Sequence, residues 1–218
     1  MITNSYGSGS PVTLVAHGLG ATPGEARIPA SGLPGTRVVV TLPSHGSAPD
    51  APPGYWDYGR IADDLATVEA DHAVGVSLGA AALVRLLSRQ PRRFRRVALL
   101  LPAVLDQPRP AVTLQQLSDL TAGPSAYVED RRRALTRLEA AAEQLPGQVA
   151  VADAGLLAHV EVPVLVIAAT NDPLHPEDVA KATAGAFPNG ELWLVDSPAP
   201  MITHRAEVRH RLVEFFGG

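Results

Sequence analysis

The stretch 72–87 constrains this chain more than any other. His72-Ala73-Val74 is a short apolar run of the kind a buried strand requires, and residues 80–87 have helical composition. Between them lies Gly75-Val76-Ser77-Leu78-Gly79, a G-x-S-x-G pattern. Strand, tight turn and helix in that order put a serine at a sharp bend above the carboxyl edge of a sheet, where a small molecule can reach its hydroxyl. The glycines let the backbone bend and keep side chains away from that hydroxyl. The pattern by itself recurs in ordinary loops, and the bland reading is a plain strand-to-helix turn. The strand before it and the helix after it favour the chemical reading.

The same alternation runs through the chain. Apolar runs at 12–16, 37–42, 96–101, 162–168 and 191–195 read as strands, and helical spacing appears at 58–70, 177–187 and 206–216. Several of these strands are apolar throughout, which calls for an α/β architecture with a parallel sheet covered by helices on both faces. Residues 5–11 are small and polar and read as a flexible lead-in. The stretch 43–54 is rich in Pro, Gly, Ser and Asp and reads as loop. From 104 to 159 the pattern shifts to helix and loop, with a long amphipathic helix expected at 125–145. We read 1–218 as a single domain with 104–159 as an inserted helical cap.

Composition narrows the function classes. A chain of 218 residues with 46% hydrophobic and 18% charged residues is an ordinary globular protein with a sizeable core. Net charge is −4, and the densest basic cluster, Arg92-Arg93-Phe94-Arg95-Arg96, sits between a helix and a strand, so nucleic acid is not an expected partner. There are no cysteines, hence no thiolate nucleophile or cysteine metal site, which fits the cytoplasm. The first residues lack the basic and apolar regions of a signal peptide, and no apolar stretch approaches the ~20 residues of a membrane span. The histidines show no metal-ligand spacing such as H-E-x-x-H, and no G-x-x-x-x-G-K-[ST] phosphate loop is present, so neither metal nor cofactor is expected. A small-molecule substrate is the expected partner, and the oligomeric state is left open.

Four motifs occur in an order that resembles the α/β-hydrolase superfamily over nearly the whole chain: Leu14-Val15-Ala16-His17-Gly18, Leu42-Pro43-Ser44-His45-Gly46-Ser47, Val74-Gly75-Val76-Ser77-Leu78-Gly79 and Ala169-Thr170-Asn171-Asp172-Pro173-Leu174. The chain looks most like small bacterial esterases and enol-lactone hydrolases. The resemblance implies an α/β-hydrolase fold that begins at the family's third strand, hence a short, mostly parallel sheet of about six strands. It implies Ser77 as nucleophile and Asp172 as the carboxylate that orients a base, although Asp-Pro after a strand is also ordinary turn chemistry. It further implies an oxyanion hole made by the backbone amides of Leu78 and Leu19.

The histidine departs from the family pattern. Matching the last helix backwards from Phe215-Phe216 puts the family's histidine at Pro198, and proline cannot be a base. Three readings compete. In the first, His204, the nearest histidine, has taken over as base. In the second, the base is lost and the site hosts proton transfer, elimination or cyclisation, or binds a ligand without turnover. In the third, His17 beside the oxyanion loop serves. His45 and His72 read as structural, and His159, His175 and His210 have no partners that the sequence names.

For the pocket we expect His17, Tyr55 and Trp56, with Tyr58 and the apolar residues Val112, Leu114, Leu117, Leu120 and Tyr127 of the inserted segment. Each aromatic taken singly is better read as core or loop packing. Together they favour an apolar or aromatic small molecule. The first expectation is therefore hydrolysis of an ester, lactone or thioester by Ser77, His204 and Asp172. Its rivals are a cofactor-free lyase or cyclase with a degenerate triad and a non-catalytic ligand-binding pseudo-hydrolase.

Overall fold

The computed structural model describes residues 1–108 and 133–217. Its strands are β1 (Ile2–Tyr6), β2 (Val12–Ala16), β3 (Thr36–Thr41), β4 (His72–Val76), β5 (Arg96–Leu100), β6 (Val164–Ala169) and β7 (Gly190–Val195). The helices among the described residues are α1 (Pro23–Ala26), α2 (Tyr58–Ala66), α3 (Leu78–Arg89), α4 (Glu139–Gln144), α5 (Glu177–Ala186), α6 (Pro200–Thr203) and α7 (Arg205–Gly217), with 3-10 turns at Ile28–Ala30 and Ala154–His159.

The strands form one seven-stranded sheet in the order β1-β3-β2-β4-β5-β6-β7. Every pairing is parallel except β1 with β3. The sheet is thus one strand larger than the sequence suggests. The extra strand is Ile2-Thr3-Asn4-Ser5-Tyr6, whose three middle residues are exposed. An edge strand needs ladder hydrogen bonds but little apolar surface, so it leaves no hydrophobic run in the sequence. The lead-in expected at 5–11 accordingly begins inside β1.

The apolar strands bury both faces. Along β6, Val164, Val166 and Ala168 join a core shared with α2 and α3, whereas Leu165 and Ile167 join the core under α7. Successive side chains point to opposite faces, so an all-apolar strand is what a two-sided burial requires. On α7, Val208, Leu212, Phe215 and Phe216 are the buried residues, one stripe of an otherwise polar helix. The helix α2 starts at Asp57, whose side chain accepts from the Arg60 amide, and it ends four residues earlier than the periodicity suggests.

The described part of the 104–159 segment packs on the same core, with Leu138, Ala141 and Leu157 wholly buried there. The helix expected at 125–145 falls partly outside the described residues; within them only Glu139–Gln144 forms a numbered helix. Val112, Leu114, Leu117, Leu120 and Tyr127 also lie outside. No described helix is long and apolar enough to cross a membrane.

The central strand is β4, flanked by β2 and β5. From β2 the chain moves outward to β3 and then returns past β2 to β4. Between β2 and β4 the strand order therefore reverses, and open α/β sheets bind ligands at the carboxyl ends of strands at such a point.

Candidate active site

Ser77 stands between β4 and α3 with φ 49° and ψ −104°, a conformation that L-residues seldom adopt. The surroundings hold it there. Its amide donates to the Leu100 carbonyl at 2.9 Å and its carbonyl accepts from Ala81 at 3.0 Å. The flanking glycines are required for space. A Cβ on Gly75 would sit 2.7 Å from the Gly79 backbone, and one on Gly79 would sit 2.4 Å from the Ala16 carbonyl oxygen. The serine itself takes the strained bend, and the glycines let helix and strands close around it.

The imidazole beside Ser77 is that of His175. The Ser77 hydroxyl meets His175 Nε2 at 3.0 Å, and His175 Nδ1 meets Asp172 Oδ2 at 2.7 Å. With Nδ1 carrying the proton toward the carboxylate, Nε2 is free to accept from the serine. Both side chains are largely covered, at 13% exposure for His175 and 9% for Asp172. Burial alone would push the Asp172 carboxyl up. The hydrogen bond and charge attraction of His175, with the amides of Leu174 and His175, outweigh burial and hold it below the ordinary 3.8.

A single turn makes this arrangement. Thr170 extends β6 by donating its amide to the Val195 carbonyl, and Asn171 takes a left-handed φ of 59°, which asparagine tolerates. Asp172-Pro173-Leu174-His175 then forms a turn with Asp first and Pro second, the favoured residues for both places. Asp172 Oδ1 accepts from the Leu174 amide at 2.8 Å, and the His175 amide reaches the Asp172 carbonyl at 3.3 Å. Asp172 therefore belongs to a turn and also meets an imidazole. One oxygen folds the turn and the other meets the imidazole.

His204 is not the group at Ser77. It follows α6, and its Nδ1 lies 2.8 Å from the Thr203 hydroxyl. That hydroxyl also meets Ser197 Oγ at 2.6 Å and donates to the Ala199 carbonyl at 3.1 Å, so the loop after β7 closes on itself. The place beside Ser77 is filled by a histidine from the neighbouring loop. Pro198 does lie at the cavity beside Ser77.

His17 is no proton carrier either. Its Nδ1 lies 2.8 Å from the Gly18 carbonyl, its Nε2 accepts from the Leu42 amide at 3.1 Å, and burial pushes its pKa down to about 4. His45 is bound in the same way: Nδ1 to the Pro43 carbonyl at 2.9 Å and Nε2 to the Gly20 amide at 2.9 Å. Burial, reinforced by His17 at a ring distance of 4.5 Å, takes the His45 pKa to about 3. His72, the other histidine read as structural, packs on Phe216 at a ring distance of 5.2 Å, and its buried Nδ1 has no hydrogen-bond partner.

A cavity of about 530 Å³ opens over Ser77, His175 and Asp172. It is lined by Tyr58, Val104, Leu135, Ala141, Ala142 and Leu145, and by Ala26, Ile28, Pro29 and the 198–202 segment. His17 and Leu19 also line it. Tyr55 and Trp56 do not. Both are core residues: the Tyr55 hydroxyl donates to Asp64 at 2.8 Å, and Trp56 stacks edge-on against Tyr55 and His45. Among the described residues no group of His, Asp and Glu is arranged to hold a metal.

The signal for His175 was present in the sequence. It follows Asp172 by three residues, which is one turn, and it preserves the order Ser, Asp, His along the chain. A family pattern that places the histidine after the last strand does not select it.

No protein-family model matches the chain, and no curated sequence matches it. Solved structures do. A hydrolase from Oleispira antarctica superposes with a TM-score of 0.79 at 16% identity, covering 99% of this chain and 94% of that one. An esterase from Exiguobacterium antarcticum gives 0.77 at 16% identity over 99% and 95% of the two chains. An alpha/beta hydrolase from a Medee basin deep-sea metagenome library gives 0.76 at 15% identity over 100% and 94%. With the sheet order and the serine at its central bend, this likeness over full length establishes that the chain has the α/β-hydrolase fold.

Proposed function

We propose that this protein is a serine hydrolase of esters, lactones or thioesters of small apolar or aromatic molecules, with Ser77 as nucleophile, His175 as base and Asp172 as the orienting acid. One observation carries the reading: the unbroken hydrogen-bonded line from Ser77 Oγ through the His175 ring to Asp172. Ser77 Oγ attacks the substrate carbonyl carbon while His175 Nε2 takes its proton. The oxyanion that forms is received by the amides of Leu19 and Leu78. Leu78 opens α3, where helix geometry leaves the amides without intrahelical partners and the dipole favours negative charge. The intermediate collapses as His175 returns the proton to the leaving oxygen or sulfur. Water, deprotonated by His175, then releases the acid and restores the serine.

The cavity wall supports this substrate class. Its described lining is largely apolar and contains no lysine or arginine, whereas Glu25 and Asp172 bring negative charge. A neutral, apolar acyl compound suits such a wall, and a phosphate or carboxylate group does not. The described residues Leu135, Ala141, Ala142 and Leu145 at the cavity support a cap within 104–159. The lyase and binding-protein readings arose from a missing base, and His175 supplies one.

The test uses a fluorophosphonate probe together with p-nitrophenyl esters. Wild type should label and turn over esters, and Ser77→Ala should do neither while melting within a few degrees of wild type, because the change opens no core cavity. A wild-type protein inert to both reagents would overturn the reading in favour of the lyase or the ligand binder.

A further inference from the structure

We infer that His17 is a positioning residue for the Leu19 amide, acting through the Gly18 carbonyl, and that His45 fixes the next peptide in the same loop. This rests on the hydrolase reading above, in which the Leu19 amide receives the oxyanion.

The argument begins with one peptide plane. The Gly18 carbonyl and the Leu19 N–H belong to the same planar, trans peptide group, so they point in opposite directions. Whatever fixes the carbonyl fixes the amide. That carbonyl meets His17 Nδ1 at 2.8 Å and accepts from the Ala21 amide at 3.2 Å. The following N–H, of Gly20, is held by His45 Nε2 at 2.9 Å. Both ends of the Leu19 residue are thus tied, and its own N–H is directed away from the Gly18 carbonyl. The loop is pressed against the nucleophile, since a Cβ on Gly18 would stand 3.4 Å from Ser77 Cβ.

The two imidazoles work reciprocally. His17, in the loop after β2, accepts from Leu42 at the end of β3. His45, in the loop after β3, accepts from Gly20 in the loop after β2. Each ring uses one nitrogen within its own loop and the other across the gap. Each must therefore be neutral with its proton on Nδ1, and their burial keeps them so across the working pH range. Electrostatic stabilisation of an oxyanion depends on donors that are aligned beforehand. This brace supplies that alignment at the amide not carried by α3.

Two substitutions at His17 separate positioning from plain structural support. Asparagine puts its amide nitrogen about where Nδ1 stands and can still donate to the Gly18 carbonyl. Glutamine reaches the Nε2 position and can still accept from Leu42. We expect His17→Gln to lose kcat on the order of tenfold to a hundredfold, with KM changed little. Affinity for a boronic acid, which forms a tetrahedral adduct with the serine, should fall by a similar factor. His17→Asn should keep most of both. Equal loss in the two variants, measured where both are folded, would overturn the proposal.

Should neither variant fold, the wild-type protein decides through the nitrogen chemical shifts of the His17 ring between pH 6 and 8. A proton on Nδ1 supports the brace, and a proton on Nε2 or a charged ring overturns it. Absence of any Ser77-dependent turnover in wild type would instead refute the hydrolase reading, which the ring measurement does not depend on.

Discussion

Two neighbouring loops at the carboxyl edge of the sheet have divided the work unevenly. The loop after β6 packs a carboxylate and an imidazole into a four-residue turn, Asp172 to His175, directed at Ser77. The segment after β7, 196–204, includes the short helix α6, carries three prolines or alanines in succession at 198–200, and ties its hydroxyls to one another. It touches the cavity with Pro198, Ala199, Pro200, Met201 and Ile202 but brings no titratable group to the serine. The contrast shows that a hydroxyl, an imidazole and a carboxylate can be brought into line by either loop. An Asp-x-x-His turn fixes the imidazole relative to its carboxylate through local hydrogen bonds, and the segment after β7 is left to form a wall.

The strongest way to break this comparison is to remove the two histidines in turn. His175→Ala should lower kcat by about a thousandfold or more. His204→Ala should leave kcat within about twofold, because it loses only a contact to Thr203. The opposite ranking in steady-state ester hydrolysis would return the base to the loop after β7.

Next in size is Asp172→Asn, which keeps the shape of the turn but offers the imidazole no charge. We expect kcat to fall about a hundredfold to ten-thousandfold, at little change in KM. The same variant has a stability signature. Because the folded Asp172 pKa lies below its unfolded value, the carboxylate stabilises the fold above the unfolded value of 3.8, and this stabilisation is lost as pH falls through the folded value. Urea midpoints of wild type and variant should therefore differ near neutral pH and converge in acid. A gap that persists or widens at low pH would contradict the depressed carboxyl.

The smallest effect tests the wall. Ile202 is 80% exposed at the cavity rim, a large apolar side chain with little to pack on until a ligand arrives. Ile202→Ser should reduce kcat/KM for a medium-chain ester by about threefold to tenfold and leave the acetate ester unchanged, since burying part of one side chain is worth about 1 kcal/mol. Equal loss on both esters would mean that the segment supports the fold rather than the substrate.

Much of this was legible from residues alone. The strand–Ser77–helix bend, the two-sided apolar strands and the buried stripe of α7 all depend on local periodicity, which a sequence displays directly. Asp172 was legible because its strand ends just before it. His175 was not legible because the family pattern places the histidine beyond β7, and a turn contact three residues away has no periodic signature. Tyr55 and Trp56 suggested a pocket by composition. Their rings instead pack with His45 beneath the loops, a choice between core and cavity that only three-dimensional packing determines. The polar strand β1 was illegible because an edge requires backbone partners rather than apolar side chains.

That first strand has a practical side. Residues 2–6 cover the open flank of β3, pairing Ile2 with Thr41 through Tyr6 with Arg37, and they turn Thr3, Asn4 and Ser5 to water. Without them, the unpaired amides and carbonyls of an apolar strand, Val38-Val39-Val40, would be offered to any passing chain. A version lacking its first six residues should therefore reveal itself in the centrifuge before it does so in an enzyme assay, by self-association that grows with concentration.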